Sequence, residues 1–253
     1  MAEAWCKAAV LVTGVLAAEV LWPAAFCGSA SAQARLEYLS QSREVRAETS
    51  HRADAPELEE RVAAQDFGPF QAEAVSYLFD PEDLDSALAR VTQHSRLDPS
   101  GATASGVLDI DAGGEFGRGH ARFDTRFEVV GAPTPYTFRY DLRSAGDFEA
   151  RGVPFRAAVG LRGPGGDVVP ETEISLFLPA DPDLGPSEVH FIRSGVLEPG
   201  TYDLHFTIEA FSVSWEDEYQ ATYDVALTVP EPCGPWAAVG VVAGAMMRRR
   251  RPG

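Results

Sequence analysis

"HARFDTRFEVV", residues His120–Val130, alternates between two kinds of side chain along its whole length. Every second residue is apolar or small, namely Ala121, Phe123, Thr125, Phe127 and Val129. The residues between them are polar: His120, Arg122, Asp124, Arg126 and Glu128. Because successive side chains of a β-strand point to opposite faces, this pattern predicts a strand with one packed face and one wet face.

The same alternation recurs through the second half of the chain, with turn-forming sequences such as "GAPT", "GPGGD" and "EPG" between the runs. The alternating runs are Pro135–Leu142, Phe155–Gly163, Glu173–Leu178, Ser187–Leu197, Thr201–Ser214 and Tyr219–Val229. Short strands at this spacing are typical of an antiparallel sandwich. We therefore predict an all-β, jelly-roll-like antiparallel β-sandwich of about nine to twelve strands, as a single domain over residues 35–229.

Two segments in the first half of the chain do not clearly favour either strand or helix. "APELEERVAAQ" (Ala55–Gln65) fits either a strand or a short helix. "SALARVTQHS" (Ser86–Ser95) is also ambiguous, because "DPEDLD" before it offers a helix cap. We favour a strand for Ser86–Ser95, since the following sequence continues directly into another alternating run.

Residues 1–34 have the order of a secretory signal peptide. Lys7 precedes the apolar run Ala8–Phe26, which is followed by the small-residue stretch Cys27–Ala34. Signal peptidase accepts small side chains at the first and third positions before its cut. Ala32 and Ala34 fit those positions, so we expect cleavage before Arg35, with Ala30 and Ala32 as the second choice.

The C-terminal segment combines a short apolar run with four arginines. Trp236–Met247 has 12 residues, which is about 18 Å as a helix against a hydrocarbon core of about 30 Å. We expect this short hydrophobic helix to engage a membrane without spanning it comfortably. Arg248, Arg249, Arg250 and Arg251 would remain cytoplasmic by the positive-inside rule, which places the acidic domain on the far side.

Pro230-Glu231-Pro232, the apolar stretch and the terminal arginines, in that order, resemble the PEP-CTERM sorting signal of exported bacterial proteins. The resemblance implies recognition of Pro230, Glu231 and Pro232 by a membrane-embedded exosortase, with Arg248–Arg251 as the stop signal. It also implies delivery to the cell surface or extracellular matrix. "DFGPF" (Asp66–Phe70) and "LRGPGGDV" (Leu161–Val168) are similar to elements of domains that recur ahead of such tails.

The region between the two terminal segments is strongly acidic. Removing those segments takes away five of 21 basic and three of 38 acidic residues, which leaves 16 and 35 and a formal charge of −19. The electrostatic field of this negative charge repels nucleic acid and anionic membranes, so we expect no nucleic-acid partner. All three cysteines, Cys6, Cys27 and Cys233, lie in the terminal segments, so the sandwich contains no thiol nucleophile.

No catalytic residues are predicted. The five histidines have no zinc-like local spacing, and no serine lies in a G-x-S-x-G motif. We expect a non-enzymatic surface or matrix protein whose partners are signal peptidase, an exosortase-type enzyme, and exopolysaccharide or other surface polymers. A carbohydrate-binding module is the first alternative and a secreted hydrolase the second.

Two weaker site predictions accompany these alternatives. No metal cofactor is expected, and calcium is the alternative, with Asp109, Asp111 and Glu115 of "DIDAGGEFG" as candidate ligands. Trp215 and Tyr219, with Tyr223 nearby, are candidates for an aromatic sugar-binding platform, although aromatic residues near turns commonly fill the core.

Overall fold

The computed structural model describes residues 34–51, 57–81, 85–113, 115–147, 155–176, 187–211 and 217–230. All regular secondary structure in these ranges is β-strand in two antiparallel sheets, which confirms the predicted all-β sandwich. Its strands are β1 (Arg35–Ser50), β2 (Leu58–Ala63), β3 (Phe70–Asp80), β4 (Asp85–Asp98), β5 (Gly101–Gly113), β6 (Phe116–Val130), β7 (Thr134–Asp147), β8 (Phe155–Gly163), β9 (Gly166–Leu176), β10 (Ser187–Leu197), β11 (Gly200–Phe211) and β12 (Asp217–Thr228). Ala34–Glu231 form one compact unit, and the other unit, Met1–Gln33 with Pro232–Gly253, lies outside the described residues.

Strands β5 to β12 form a jelly roll. They pair as a nested series of antiparallel partners: β5 with β12, β6 with β11, β7 with β10, and β8 with β9. Successive partners in this series alternate between the sheets, which gives the order β6-β11-β8-β9 in sheet A and β10-β7-β12-β5 in sheet B. This is the double Greek-key arrangement of a jelly roll.

Strands β1 to β4 extend both sheets. β1 pairs with β6 and adds to sheet A, with β2 outside it, while β4 pairs with β5 and adds to sheet B, with β3 outside it. Each sheet therefore has six strands, in the orders β2-β1-β6-β11-β8-β9 and β10-β7-β12-β5-β4-β3.

The start of β1 and the end of β12 are held at one turn. The Leu36 backbone N–H donates to the Pro99 carbonyl at 3.1 Å, and the Val229 N–H donates to the Ser100 carbonyl at 2.8 Å. Asp98 fixes this turn, because its Oδ1 accepts from the Ser100 N–H at 2.9 Å. We call this end of the sandwich the base, and the opposite end, where β1 and β3 finish, the far end.

Both ambiguous segments contain strands. Ser86–Ser95 lies within β4, as predicted, with Ala87, Ala89 and Val91 buried in alternation. The helical alternative for Ala55–Gln65 is wrong for Leu58–Ala63, which form the edge strand β2 against β1. Ion pairing across the strands accompanies this register, since Arg61 Nη2 lies 2.6 Å from Glu44 Oε2.

Aromatic and aliphatic side chains fill the interior between the sheets. The inward row of β6 contains Phe123 and Phe127, both fully buried, and Phe127 stacks on Tyr202 of β11 with 5.6 Å between ring centroids. From the other strands, Phe138, Phe155 and Phe206 are also fully buried. Each such side chain contributes about 1.5–3 kcal/mol by leaving water.

One charged side chain lies in this interior. Arg43 is 1% exposed and continues the inward row of Val45 and Ala47 on β1. Its Nη1 donates to the Gly68 carbonyl at 2.9 Å, and its Nη2 donates to the Asp66 carbonyl. Burial lowers the pKa of Arg43, and the Asp66 carboxylate opposes that shift. The guanidinium therefore fastens the β2–β3 connection to β1.

We predict that Arg43→Met destabilises the sandwich by about 2–4 kcal/mol, because the carbonyls of Asp66 and Gly68 lose their buried donor. Urea unfolding, followed by the far-ultraviolet circular dichroism of the β-sheet, measures the change in the free energy of unfolding. The matched control is Arg126→Met, which removes an exposed pair with Asp203 and costs less than about 1 kcal/mol. Equal urea midpoints for the two variants would contradict the role given to Arg43.

Candidate functional site

The outer face of sheet A carries cross-strand ion pairs. On β6 and β11, Arg126 Nε lies 2.9 Å from Asp203 Oδ1 in directly opposite positions, and Arg118 pairs with Glu209. These pairs lie on the solvated side of the alternation predicted for "HARFDTRFEVV". Exposed pairs of this kind contribute little stability individually, so they chiefly keep this face polar and soluble.

The pKa values of two histidines of this face are shifted in opposite directions. His205 Nδ1 lies 2.6 Å from Asp124 Oδ1, and Arg122 also binds that carboxylate. The hydrogen bond to Asp124 raises the pKa of His205 above its ordinary value. Desolvation lowers the pKa of His120, which is half-buried. Neither arrangement includes a nucleophile, and both are accounted for by ion pairing and burial.

The outer face of sheet B has a shallow polar groove across β4, β5, β12 and β7. Its volume is about 470 Å³, and the lining includes Thr92, His94, Ser105, Asp141 and Arg143. Hydroxyl, imidazole, carboxylate and guanidinium groups thus lie along one open surface. These are donors and acceptors suited to a hydroxyl-rich ligand.

An apolar patch lies on the same face at the far end. Tyr77 and Phe79 alternate outward on β3 and are 57% and 48% exposed. Leu88 of β4 is opposite Tyr77, and Asp111 of β5 is opposite Leu88. We call Tyr77, Phe79 and Leu88 the far-end patch; it places two aromatic rings beside an acidic strand.

The aromatic residues proposed from sequence as a sugar platform are placed differently. Tyr219 is 1% exposed, and its ring packs edge-on against Phe155 with 5.3 Å between centroids. Tyr223 packs against Phe206, and its hydroxyl donates to the Thr92 carbonyl at 3.3 Å. Both rings fill the core because odd-numbered residues of β12 point inward. Tyr223, which is 3% exposed, also contributes to the lining of the groove on sheet B. Trp215 lies outside the described residues.

The candidate calcium ligands do not form one group within the described ranges. Asp109 and Asp111 lie on the outer face of β5, whereas Glu115 lies beyond the end of that strand and is buried. Glu115 instead joins His51 and Asp80, and one ligating atom from each lies within 4.8 Å of the others. Sequence reasoning missed this grouping, because no local spacing links three residues so far apart in the chain.

Of the residues assigned to processing, Ala34 and Pro230 are described, at the edges of the compact unit. Ala32, Glu231, Pro232, the apolar run Trp236–Met247 and Arg248–Arg251 lie outside the described residues. In the described ranges, no helix has the length and apolar character needed to cross a membrane.

Comparisons with known proteins find no matching family model and no matching curated protein. Among solved structures, the chain is similar to the Gx strain of infectious bursal disease virus at 9% identity and a TM-score of 0.27, covering 80% of this chain and 58% of that one. A structure of the Gt strain matches at 8% identity and a TM-score of 0.17, covering 86% and 74%. The VP2 subviral particle of this virus matches at 9% identity and a TM-score of 0.13, covering 79% and 67%. The chain thus spans less than two thirds of the length of the Gx-strain protein. TM-scores this low do not support any conclusion about function.

We predict that His205 titrates above, and His120 below, the ordinary histidine pKa of about 6.5. The stabilisation from protonated His205 is fully present below the unfolded-state pKa of about 6.5 and is lost as the pH rises through the higher pKa of the folded state. The stabilisation from neutral His120 is fully present above about pH 6.5 and is lost as the pH falls through the lower pKa of the folded state. Imidazole proton shifts in NMR spectra, assigned with His205→Gln and His120→Gln, measure both. A reversed order of titration would contradict the assigned environments.

Proposed function

We propose that the chain is an exported, sorted bacterial protein of the cell surface or extracellular matrix and that it acts without catalysis. The observation that carries the proposal is the sequence of residues 230–253, in which Pro230-Glu231-Pro232, an apolar run and four arginines follow one another. The two ends of the sandwich also meet at its base. Leu36 at the start of the sandwich and Val229 at its end bond to the adjacent residues Pro99 and Ser100. A domain attached through this base presents its far end and both outer faces to its surroundings.

The terminal sequences support export and sorting. Residues 1–34 have the zones of a signal peptide, and residues 230–253 have the three parts of the PEP-CTERM signal in order. Signal peptidase and an exosortase-type enzyme are the processing partners that these segments imply. Val229, the residue before the Pro230-Glu231-Pro232 motif, lies at the base.

The packing of the sandwich supports a non-catalytic role. Buried phenylalanine and tyrosine rings fill the space between the sheets, and the charged side chains of β6 and β11 are engaged with one another on an outer face. The region's charge of −19 disfavours anionic partners. Neutral or cationic surface polymers therefore fit it best.

A second candidate function, carbohydrate binding, is favoured by the far-end patch. Tyr77 and Phe79 present two exposed rings on the outer face of sheet B, the face that also bears the polar groove. Sugar rings pack their apolar faces on aromatic side chains while their hydroxyls bond to polar groups, and this face offers both. The ligand class is therefore a neutral polysaccharide of the matrix.

We predict that protein recovered from the native bacterium lacks residues 1–34 and the segment following the Pro230-Glu231-Pro232 motif. Intact-mass spectrometry measures both ends. A variant with Arg248–Arg251 replaced by alanine serves as the control and is expected to retain its tail. Recovery of wild-type protein with residues 230–253 still attached would refute sorting by this signal.

We predict that Tyr77→Ala with Phe79→Ala weakens binding to the bacterium's own exopolysaccharide by about tenfold, which corresponds to about 1.4 kcal/mol. Affinity electrophoresis against that polymer measures the change. The matched control replaces Ile192 and Val196, exposed apolar residues on the opposite edge strand β10, and should leave binding unchanged. Equal losses in both double variants would count against binding at the far-end patch.

A further inference from the structure

A histidine and three carboxylates from separate segments meet at the far end of the sandwich. His51 Nδ1 lies 2.7 Å from Glu115 Oε1 and 3.9 Å from Asp80 Oδ2, and His51 Nε2 lies 3.4 Å from Glu57 Oε2. We call these four residues the corner site. Glu115 is 9% exposed, so at least one of the carboxylates is well removed from solvent.

Strand register creates the corner site. In the β1–β6 ladder, Thr49 is opposite Gly117 and Ser50 is opposite Phe116, so the next position sets His51 opposite Glu115. A hydrogen bond between the sheets positions β3, the strand that ends at Asp80, beside β1. It joins Thr49 Oγ1 to Ser76 Oγ of β3 at 2.8 Å. The ligands therefore project from both sheets.

Glu57 orients the imidazole ring. It is held by backbone pairing, since its N–H donates to the Thr49 carbonyl at 3.0 Å. Its carboxylate lies 3.4 Å from Nε2, and Glu115 Oε1 lies closer to Nδ1, at 2.7 Å, so both ring nitrogens face carboxylates that accept hydrogen bonds from the protonated ring. Metal-bound histidines generally donate their second N–H to such a partner. A metal ion would replace the proton on Nδ1 between His51, Glu115 and Asp80, and Nε2–H would remain directed at Glu57.

The electrostatics of the corner site favour added positive charge. Glu115, Glu57 and Asp80 all raise the pKa of His51, with the hydrogen bond to Glu115 as the largest cause. The three carboxylates therefore create a negative potential at the ring of His51.

We propose that the corner site binds a divalent transition metal of the zinc class through His51 Nδ1 and one oxygen each from Asp80 and Glu115, with Glu57 as the partner of Nε2. The ligand atoms of a tetrahedral zinc site with bonds of about 2.0–2.1 Å are about 3.3 Å apart. The distances of 2.7 and 3.9 Å from Nδ1 bracket that value, so small side-chain rotations complete the site. Imidazole suits zinc, whereas calcium prefers oxygen ligands alone.

The test uses the untagged full chain, stripped with a chelator and alkylated with iodoacetamide. Alkylation is needed because Cys6, Cys27 and Cys233 are thiols that bind zinc themselves. Calorimetric titration with Zn²⁺ is expected to show one site per chain, and about a hundredfold excess over Kd is expected to raise the Tm by about 5–10 °C. Calcium at equal concentration should bind far more weakly. A calcium affinity equal to that of zinc, or no zinc binding, would overturn the proposal.

Three variants locate the site. His51→Ala and Glu115→Gln are each expected to weaken zinc binding at least tenfold. His190→Ala removes an exposed histidine with a single carboxylate partner and should leave the affinity unchanged. Unchanged affinity in His51→Ala, or an equal loss in His190→Ala, would refute the assignment.

A measurement on wild-type protein covers the case in which a variant fails to fold. Zn²⁺ should shift the ring resonances of His51 selectively in NMR spectra of the alkylated chain, while those of His190 and His205 stay in place. Shifts confined to the other histidines would overturn the proposal.

Discussion

The antiparallel pairing of β1 with β6 is the contact on which the other features depend. It runs from Arg35 opposite Val130 to Ser50 opposite Phe116 and joins β1 and β2 to the jelly roll. A single irregularity, between Tyr38 and Ser40, interrupts the register. Beside it, the Tyr38 hydroxyl lies 3.1 Å from the Asp98 carbonyl and donates also to Gly101, so β1 is bound to sheet B as well as to sheet A.

This register determines which side chains are inside. A slip by one residue would exchange the two faces of a strand, so burial of Phe123 and Phe127 on β6 and of Val45 on β1 specifies a single alignment. The alternation in the sequence carries that information, which is why the sandwich could be predicted. The alternation does not predict that Arg43 is buried, because a charged side chain that points inward needs hydrogen-bond acceptors from another segment of the chain. The carbonyls of Asp66 and Gly68, more than 20 residues away, supply them.

The features that could not be predicted depend on contacts between distant segments. Edge strand β2 has a helix-like composition, and only its pairing with β1 makes it a strand. Glu115 was grouped with Asp109 and Asp111 because they are close in sequence. The chain passes from sheet B to sheet A between β5 and β6, however, and this turn directs Glu115 toward His51 instead. Tyr77 and Phe79 were overlooked for a related reason: alternation predicts which residues point outward, but not which outward positions lie on an open face.

The length of β1 separates the attached end of the sandwich from the end that carries the candidate sites. β1 spans 16 residues from the base to Ser50, which is about 50 Å at about 3.3 Å per residue. Asp80 and Phe79 end β3 at the far end, and Asp111 lies near the end of β5 there. The corner site and the far-end patch therefore lie well beyond a Debye length of about 8 Å from the base. Charged groups at the two ends of the sandwich are then largely screened from one another at physiological ionic strength.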